Sequence, residues 1–153
     1  LLMPYRWGAQ VNAWAWTRRL PPSALVRGNV HLGRVPNEFE RKGFRAVIDM
    51  TGEMILPRAE GADVKAFPLL DLIAPRGQIL RAAAREIEKA QETGGVLVCC
   101  ALGMQRSAAA VAVWLVSAGH AKNGEEAIGI LRVGGRPIHL DAELIDAALE
   151  ERR

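Results

Sequence analysis

Residues 96–107, with the sequence VLVCCALGMQRS, carry the side chains and spacing best suited to chemistry. Cys100 ends an apolar run of strand length, five residues follow, and Arg106 begins a predicted helix. A tight loop before a helix N-terminus points several backbone N–H groups inward, and the helix dipole adds attraction for an anion. A cysteine facing such a site readily forms a thiolate, the nucleophilic form. The pattern therefore predicts nucleophilic attack on the phosphorus atom of a bound phosphate ester.

The loop between the cysteine and the arginine is predicted to bind phosphate. Gly103 permits a backbone conformation that a side chain would hinder, and the planar guanidinium of Arg106 can hold two phosphate oxygens. The predicted phosphate-binding residues are Ala101, Leu102, Gly103, Met104, Gln105 and Arg106. As an alternative, a cysteine at the end of a buried strand is often a small hydrophobic core residue. The strand, the glycine, the helix and Ser107 together favour catalysis over that alternative.

The elements that must position this loop alternate between strands and helices. Strands are predicted at 29–32, 44–50, 63–69 and 96–100, and longer helices at 78–92, 107–118, 124–132 and 141–151, with Asn37 capping a short one. The continuous apolar run 96–100 indicates a central parallel strand, and the apolar segment 107–118 indicates a buried helix. This alternation predicts an α/β fold: a central, largely parallel mixed sheet flanked by helices.

The segment Cys100-Ala-Leu-Gly-Met-Gln-Arg106-Ser107 resembles the Cys-x5-Arg-Ser/Thr loop of the cysteine-dependent protein phosphatases, specifically the dual-specificity branch. The resemblance extends over about residues 29–149. The sequences VHLG at 30–33 and VIDMT at 47–51 are similar to the family's first two strands. The sequences EEAI at 125–128 and RP at 136–137 are similar to its closing helix and turn.

The resemblance implies a dual-specificity phosphatase fold and a covalent cysteinyl-phosphate on Cys100. Arg106 would hold the phosphate, and Ser107 would assist the thiolate as a leaving group. No metal and no cofactor are implied. The five-residue spacing selects Cys100 as the nucleophile, because Cys99 is one residue too far from Arg106, and strand alternation turns Cys99 away.

A general acid must protonate the oxygen of the leaving alcohol or phenol. In the family this is an aspartate about thirty residues before the nucleophile, and Asp71 lies 29 residues before Cys100, after a predicted strand. The alternative role for Asp71 is that of a turn residue or helix cap. Asp49, Glu53 and Asp63 are further candidates for the acid.

Two departures from the family pattern bear on function. Cys99 stands where the family usually has a histidine, and we interpret it as a buried structural thiol, with a redox role as the alternative. The four side chains of the loop other than Gly103 carry no charge, whereas phosphoinositide-selective relatives often have lysine or arginine there. This favours phosphoprotein substrates. Arg132 and Arg136 are assigned solvated or capping roles, with a substrate's second anion as the alternative.

The first 28 residues differ in composition from the rest of the chain. They contain four arginines and no acidic residue, whereas residues 29–153 carry 16 basic and 17 acidic side chains. The net charge of +3 therefore comes from the first 28 residues. A nucleic-acid partner is therefore not expected. Trp7, Val11 and Trp14 share one helical face, which predicts either an interfacial helix on an anionic membrane surface or a helix packed on the domain. We divide the chain into this leader, 1–28, and a phosphatase domain, 29–153.

The remaining features limit the classes of protein. Two adjacent cysteines cannot form the framework of a disulfide-rich fold, and no apolar run approaches the roughly 20 residues of a membrane span. Because the chain begins with Leu1-Leu2-Met3, we expect a fragment of a longer protein, lying on the cytoplasmic side and associated with the membrane through an upstream segment. Some bacterial proteins that resemble it join such a domain to a membrane region.

The sequence predicts a metal-independent phosphatase acting on phosphotyrosine and on phosphoserine or phosphothreonine. Three alternatives stay open: a phospholipid or phosphoinositide head-group phosphatase, a rhodanese-like sulfurtransferase, and a phosphate-binding pseudophosphatase. The sulfurtransferase has no need of Asp71 or of the Arg106-Ser107 pair, and the intact Cys100 argues against the pseudophosphatase.

Overall fold

The computed structural model describes residues 11, 15, 20–52, 56, 61–69, 77–133 and 135–150. Within these ranges the strands are β1 (Ser23–Arg27), β2 (Val30–Arg34), β3 (Ala46–Thr51), β4 (Asp63–Leu69) and β5 (Val96–Cys100). The helices are α1 (Glu38–Arg41), α2 (Gly77–Gln91), α3 (Arg106–Ser117), α4 (Gly124–Val133) and α5 (Ala142–Glu150). The predicted α/β class is confirmed.

The strands form one sheet in the order β1-β2-β5-β3-β4. β1 is antiparallel to β2, and the other neighbours are parallel, so the sheet is mixed and largely parallel, as predicted. β5 lies at its centre, with Val98 opposite Leu32 on one side and Ile48 on the other. Arg34, at the end of β2, is paired with Cys100. The carboxyl ends of β2 and β5 therefore meet at the loop that follows Cys100.

Alternation along β5 separates its two cysteines. Cys100 belongs with Val96 and Val98 to the large core that the four longer helices cover. Cys99 belongs with Leu97 to a smaller cluster on the opposite face of the sheet. The prediction that Cys99 faces away from Cys100 is confirmed.

Helix α3 follows the loop and is buried nearly all round. Every residue from Arg106 to Leu115 is buried, as expected of a helix that is apolar on all sides. Trp114 is in the core, and its indole N–H donates a hydrogen bond of 2.6 Å to Glu88. The helix N-terminus that supports the loop is therefore fixed by packing.

Helix α1 is short and is held by its cap. The Asn37 side chain accepts a hydrogen bond of 2.8 Å from the backbone N–H of Glu40, and the Glu40 side chain accepts one of 2.9 Å from the backbone N–H of Asn37. This is a capping box, and it confirms the predicted Asn37 cap. Glu40 also forms a two-pronged ion pair with Arg34, at 2.8 and 2.9 Å, which fixes the end of β2.

The first strand of the sheet lies within residues 1–28, the predicted leader. Its five residues, Ser23–Arg27, pair with β2, and no strand was predicted there. This short, half-exposed strand is stabilised by its pairing with β2, and such pairing cannot be recognised from the local sequence. Trp7 and Trp14 lie outside the described residues, so the leader helix stays a prediction. Among the described helices, none is long and apolar enough to cross a membrane.

Candidate active site

Cys100 is the centre of the candidate site and is buried at the end of β5, with 3% of its surface exposed. Its Sγ accepts two hydrogen bonds, one of 3.2 Å from the backbone N–H of Gly103 and one of 3.1 Å from the hydroxyl of Ser107. Two donors directed at one sulfur stabilise it as an anion, because hydrogen bonds to a charged acceptor are stronger than those to a neutral one. The structure thus brings Cys100 and Ser107 into contact.

The loop residues 101–105 connect β5 to α3, and three backbone carbonyls in this region bond to groups outside the loop. The Cys100 carbonyl accepts from the Val35 N–H (2.9 Å), the Leu102 carbonyl from Arg136 Nη1 (2.8 Å), and the Met104 carbonyl from the His139 N–H (3.0 Å). In a trans peptide unit the C=O and N–H groups point in opposite directions. The N–H groups of Ala101, Gly103 and Gln105 therefore point away from these outer partners.

Gly103 is the position where the loop most needs a glycine. Its φ of +72° lies in the left-handed region. A Cβ there would lie 2.5 Å from the Gly33 carbonyl oxygen and 3.1 Å from the Arg34 amide nitrogen. Gly33 itself was missed as part of the site, although a glycine inside a strand indicates a close approach of another backbone segment.

Arg106 is the first residue of α3 and is 4% exposed. Its Nη1 donates a hydrogen bond of 3.0 Å to the carbonyl of Leu69, the last residue of β4. Gln105, the N-cap residue, makes no side-chain cap bond, so its side chain does not compete for the N–H groups of the first helical turn. Arg106 and these N–H groups bring positive charge to the same end of the sheet as Cys100.

None of the four candidates for the general acid is seen next to Cys100 in the described part of the chain. Asp71 and Glu53 lie outside the described residues, and the acid role of Asp71 stays a prediction. Asp63 begins β4, at the opposite end of the strand from Leu69. Asp49 is opposite Cys99 in the sheet register. Neither Asp63 nor Asp49 is therefore placed to serve Cys100.

Cys99 has the surroundings of a structural thiol. Burial raises its pKa well above the ordinary thiol value, and the negative charges of Asp49 and Cys100 add to that increase. Asp49 accepts hydrogen bonds from the backbone N–H (2.9 Å) and hydroxyl (2.8 Å) of Thr51. Cys99 is therefore a neutral thiol at physiological pH, which agrees with its interpretation as structural.

Alkylation should distinguish the two cysteines. We expect iodoacetate, whose carboxylate suits an anion site, to label Cys100 near neutral pH, and inorganic phosphate to protect it. Cys99 should react only well above the ordinary thiol range, because its raised pKa keeps the thiolate scarce. Peptide mass spectrometry across pH measures both rates, and Cys99→Ser is the control that should keep the labelling. Faster labelling of Cys99 than of Cys100 at neutral pH would contradict this geometry.

Comparison with known proteins shows which solved structures share this fold. No protein-family model and no curated protein matches the chain. Among solved structures, Tk-PTP in its active form has a TM-score of 0.71 and 27% identity, over 86% of this chain and 95% of that chain. Human DUSP28 has a TM-score of 0.71 and 21% identity, over 86% and 93%. PTPMT1 in complex with PI(5)P has a TM-score of 0.70 and 20% identity, over 85% and 96%.

The first of these neighbours, Tk-PTP at 27% identity, indicates a phosphatase of that type. The chain has the α/β fold of the dual-specificity and protein tyrosine phosphatases, and its structural neighbours are members of that group.

Proposed function

We propose that this chain is a phosphomonoester hydrolase that works through a cysteinyl-phosphate on Cys100. The observation that carries the proposal is the Cys100 sulfur, which accepts hydrogen bonds from Gly103 and Ser107. The carbonyls of Cys100, Leu102 and Met104 bind partners outside the loop, so the N–H groups of the same peptide units face inward, where an anion would bind. A nucleophile and an anion site in one loop suit attack on a phosphate ester.

In the first step the Cys100 thiolate attacks phosphorus, and the bond between phosphorus and the ester oxygen breaks. The loop N–H groups and the guanidinium of Arg106 stabilise the charge on the phosphoryl oxygens. Asp71 donates its proton to the leaving oxygen, so that an alcohol or phenol departs. Its spacing of 29 residues before Cys100 and the family resemblance support Asp71 as the acid.

In the second step a water molecule attacks phosphorus and the bond to sulfur breaks. The ionised Asp71 takes a proton from the water, and inorganic phosphate is released. Ser107 donates its hydroxyl proton to Cys100 Sγ in a hydrogen bond, and this bond stabilises the departing thiolate. Asp71 gives a proton in the first step and regains one from the water in the second, and the loop N–H groups and Arg106 balance the phosphoryl charge, so we propose a metal-independent reaction.

The proposed substrates are phosphoproteins, with phosphotyrosine first and phosphoserine or phosphothreonine next. The uncharged side chains of the loop at 101, 102, 104 and 105 suit a single phosphate group. A phosphoinositide head group is the second candidate, favoured by the neighbour PTPMT1, whose structure contains PI(5)P. The arginines and tryptophans of residues 1–28 support binding to an anionic membrane surface. This would hold the protein on the cytoplasmic side of a membrane.

Substitution of each cysteine tests the proposal. Cys100→Ser should abolish turnover but still bind phosphate, because the loop N–H groups remain. Cys99→Ser should keep activity within roughly tenfold, about 1.4 kcal/mol in the barrier. Initial rates on phosphotyrosine and phosphothreonine peptides and on a phosphoinositide, all in EDTA, measure both variants. Activity in Cys100→Ser with none in Cys99→Ser would overturn the assignment of the nucleophile.

The role of Asp71 can be tested with a series of aryl phosphates. Asp71→Asn should lower the rate about 10²–10⁴-fold on substrates with poor leaving groups. The loss should shrink as the pKa of the leaving phenol falls, because a good leaving group needs no proton. The fall in rate at high pH, which reports loss of the Asp71 proton, should flatten in the variant. An equal loss on every substrate, with an unchanged pH profile, would place the acid elsewhere.

A further inference from the structure

The peptide unit between Leu102 and Gly103 is held at both of its polar ends. Its C=O accepts a hydrogen bond of 2.8 Å from Arg136 Nη1. Its N–H donates a hydrogen bond of 3.2 Å to Cys100 Sγ. Because the two groups lie in the peptide plane and point in opposite directions in a trans peptide, Arg136 and the nucleophile bind opposite edges of one rigid unit.

Arg136 lies in the segment between α4 and α5 and is 5% exposed. Its Nη2 donates to the carbonyl of Pro21, and no carboxylate among the described residues pairs with it. Burial lowers the pKa of Arg136, while the negative charge of Cys100 acts in the opposite direction. Of the solvated and capping roles predicted from the sequence, the solvated one is therefore wrong for Arg136. Two of its five N–H donors bind backbone carbonyls.

This peptide unit differs from the other two that turn their carbonyls outward. The Cys100 and Met104 carbonyls are held by backbone N–H groups, of Val35 and His139. The Leu102 carbonyl is held by a side chain. It is also followed by Gly103, which tolerates φ of either sign. Rotation of this unit changes ψ of residue 102 and φ of residue 103 together, so glycine leaves the rotation sterically open.

We propose that Arg136 is a positioning residue that clamps the Leu102–Gly103 peptide so that the Gly103 N–H faces Cys100 and a bound phosphoryl group. Its hydrogen bond to Pro21 holds the guanidinium behind the loop, and its hydrogen bond to Leu102 selects one of the two orientations of the peptide. Without Arg136 the peptide turns, and one donor leaves the anion site. The catalytic consequence rests on the proposed phosphatase activity, whereas the effect on anion binding does not.

The test uses Arg136→Met, Arg136→Lys and a control, Arg45→Met, which removes an exposed arginine beside the amino end of β3. Orthophosphate affinity is measured by calorimetry, and the chemical shift of the Gly103 amide is measured by ¹H–¹⁵N NMR. The value of kcat/KM is measured on an aryl phosphate. Arg136→Met should weaken orthophosphate binding and lower kcat/KM about 10²–10³-fold, the usual effect of losing one donor to an oxyanion. It should also displace the Gly103 resonance but not that of Gly119, at the far end of α3. Arg45→Met should change none of these.

The lysine variant separates the clamp from a simple charge effect. Its single ammonium lacks the fork that bonds both carbonyls, so orthophosphate affinity and the Gly103 resonance should lie between those of wild type and Arg136→Met. If Arg136→Met does not fold, Arg136→Lys alone tests the clamp by the same two measurements. Full orthophosphate affinity in Arg136→Lys with a displaced Gly103 resonance would show that charge alone matters, and would overturn the proposal.

Two results separate this inference from the proposed function. Wild-type orthophosphate affinity and an unmoved Gly103 resonance in a folded Arg136→Met variant would overturn the clamp, even if the protein hydrolyses phosphate esters. Loss of orthophosphate binding and a displaced Gly103 resonance would support the clamp, even if the wild-type chain hydrolyses no ester. In that second case the proposed function would fail alone.

Discussion

The loop depends on one constraint: each N–H group that faces the anion leaves the carbonyl of the same peptide unit facing the protein. A buried carbonyl without a partner costs about 1–3 kcal/mol, so the loop is stable only if the surrounding structure supplies donors. The three partners are the Val35 N–H, the Arg136 guanidinium and the His139 N–H. They come from the chain after β2 and from the segment between α4 and α5. The proposed anion site of five residues thus depends on distant parts of the chain.

The sheet explains how these parts meet. β2 runs parallel to β5 and ends beside it, which places Val35 next to the Cys100 carbonyl. Gly33 and Gly103 approach so closely that a side chain on Gly103 would overlap the Gly33 carbonyl. Arg106 and Arg136 are both buried. A buried guanidinium is expensive unless its charge is compensated. Burial lowers the pKa of Arg136, and the negative charge of Cys100 opposes that decrease.

Local patterns in the sequence predicted the elements that form this site. β4 and β5 have the predicted bounds, and β5 was identified by its continuous apolar run, which is typical of a buried strand. Asn37 signalled a cap that the structure contains. β1 was missed because an edge strand is defined by its pairing with β2, which is not local. Arg136 was misread for a similar reason, since its burial depends on contacts with Leu102 and Pro21, 34 and 115 residues away. Asp71 rests on spacing and resemblance alone.

The proposed reaction depends on a covalent phosphoryl group on Cys100, and this group can be trapped. The protein is mixed with an aryl phosphate, quenched in acid within milliseconds, and digested for peptide mass spectrometry. We expect a peptide heavier by one phosphoryl group, with the group on Cys100 and none on Cys99. The adduct should accumulate further in Ser107→Ala, because the thiolate is then a poorer leaving group. Turnover of the ester with no adduct on Cys100 in either protein would contradict the account.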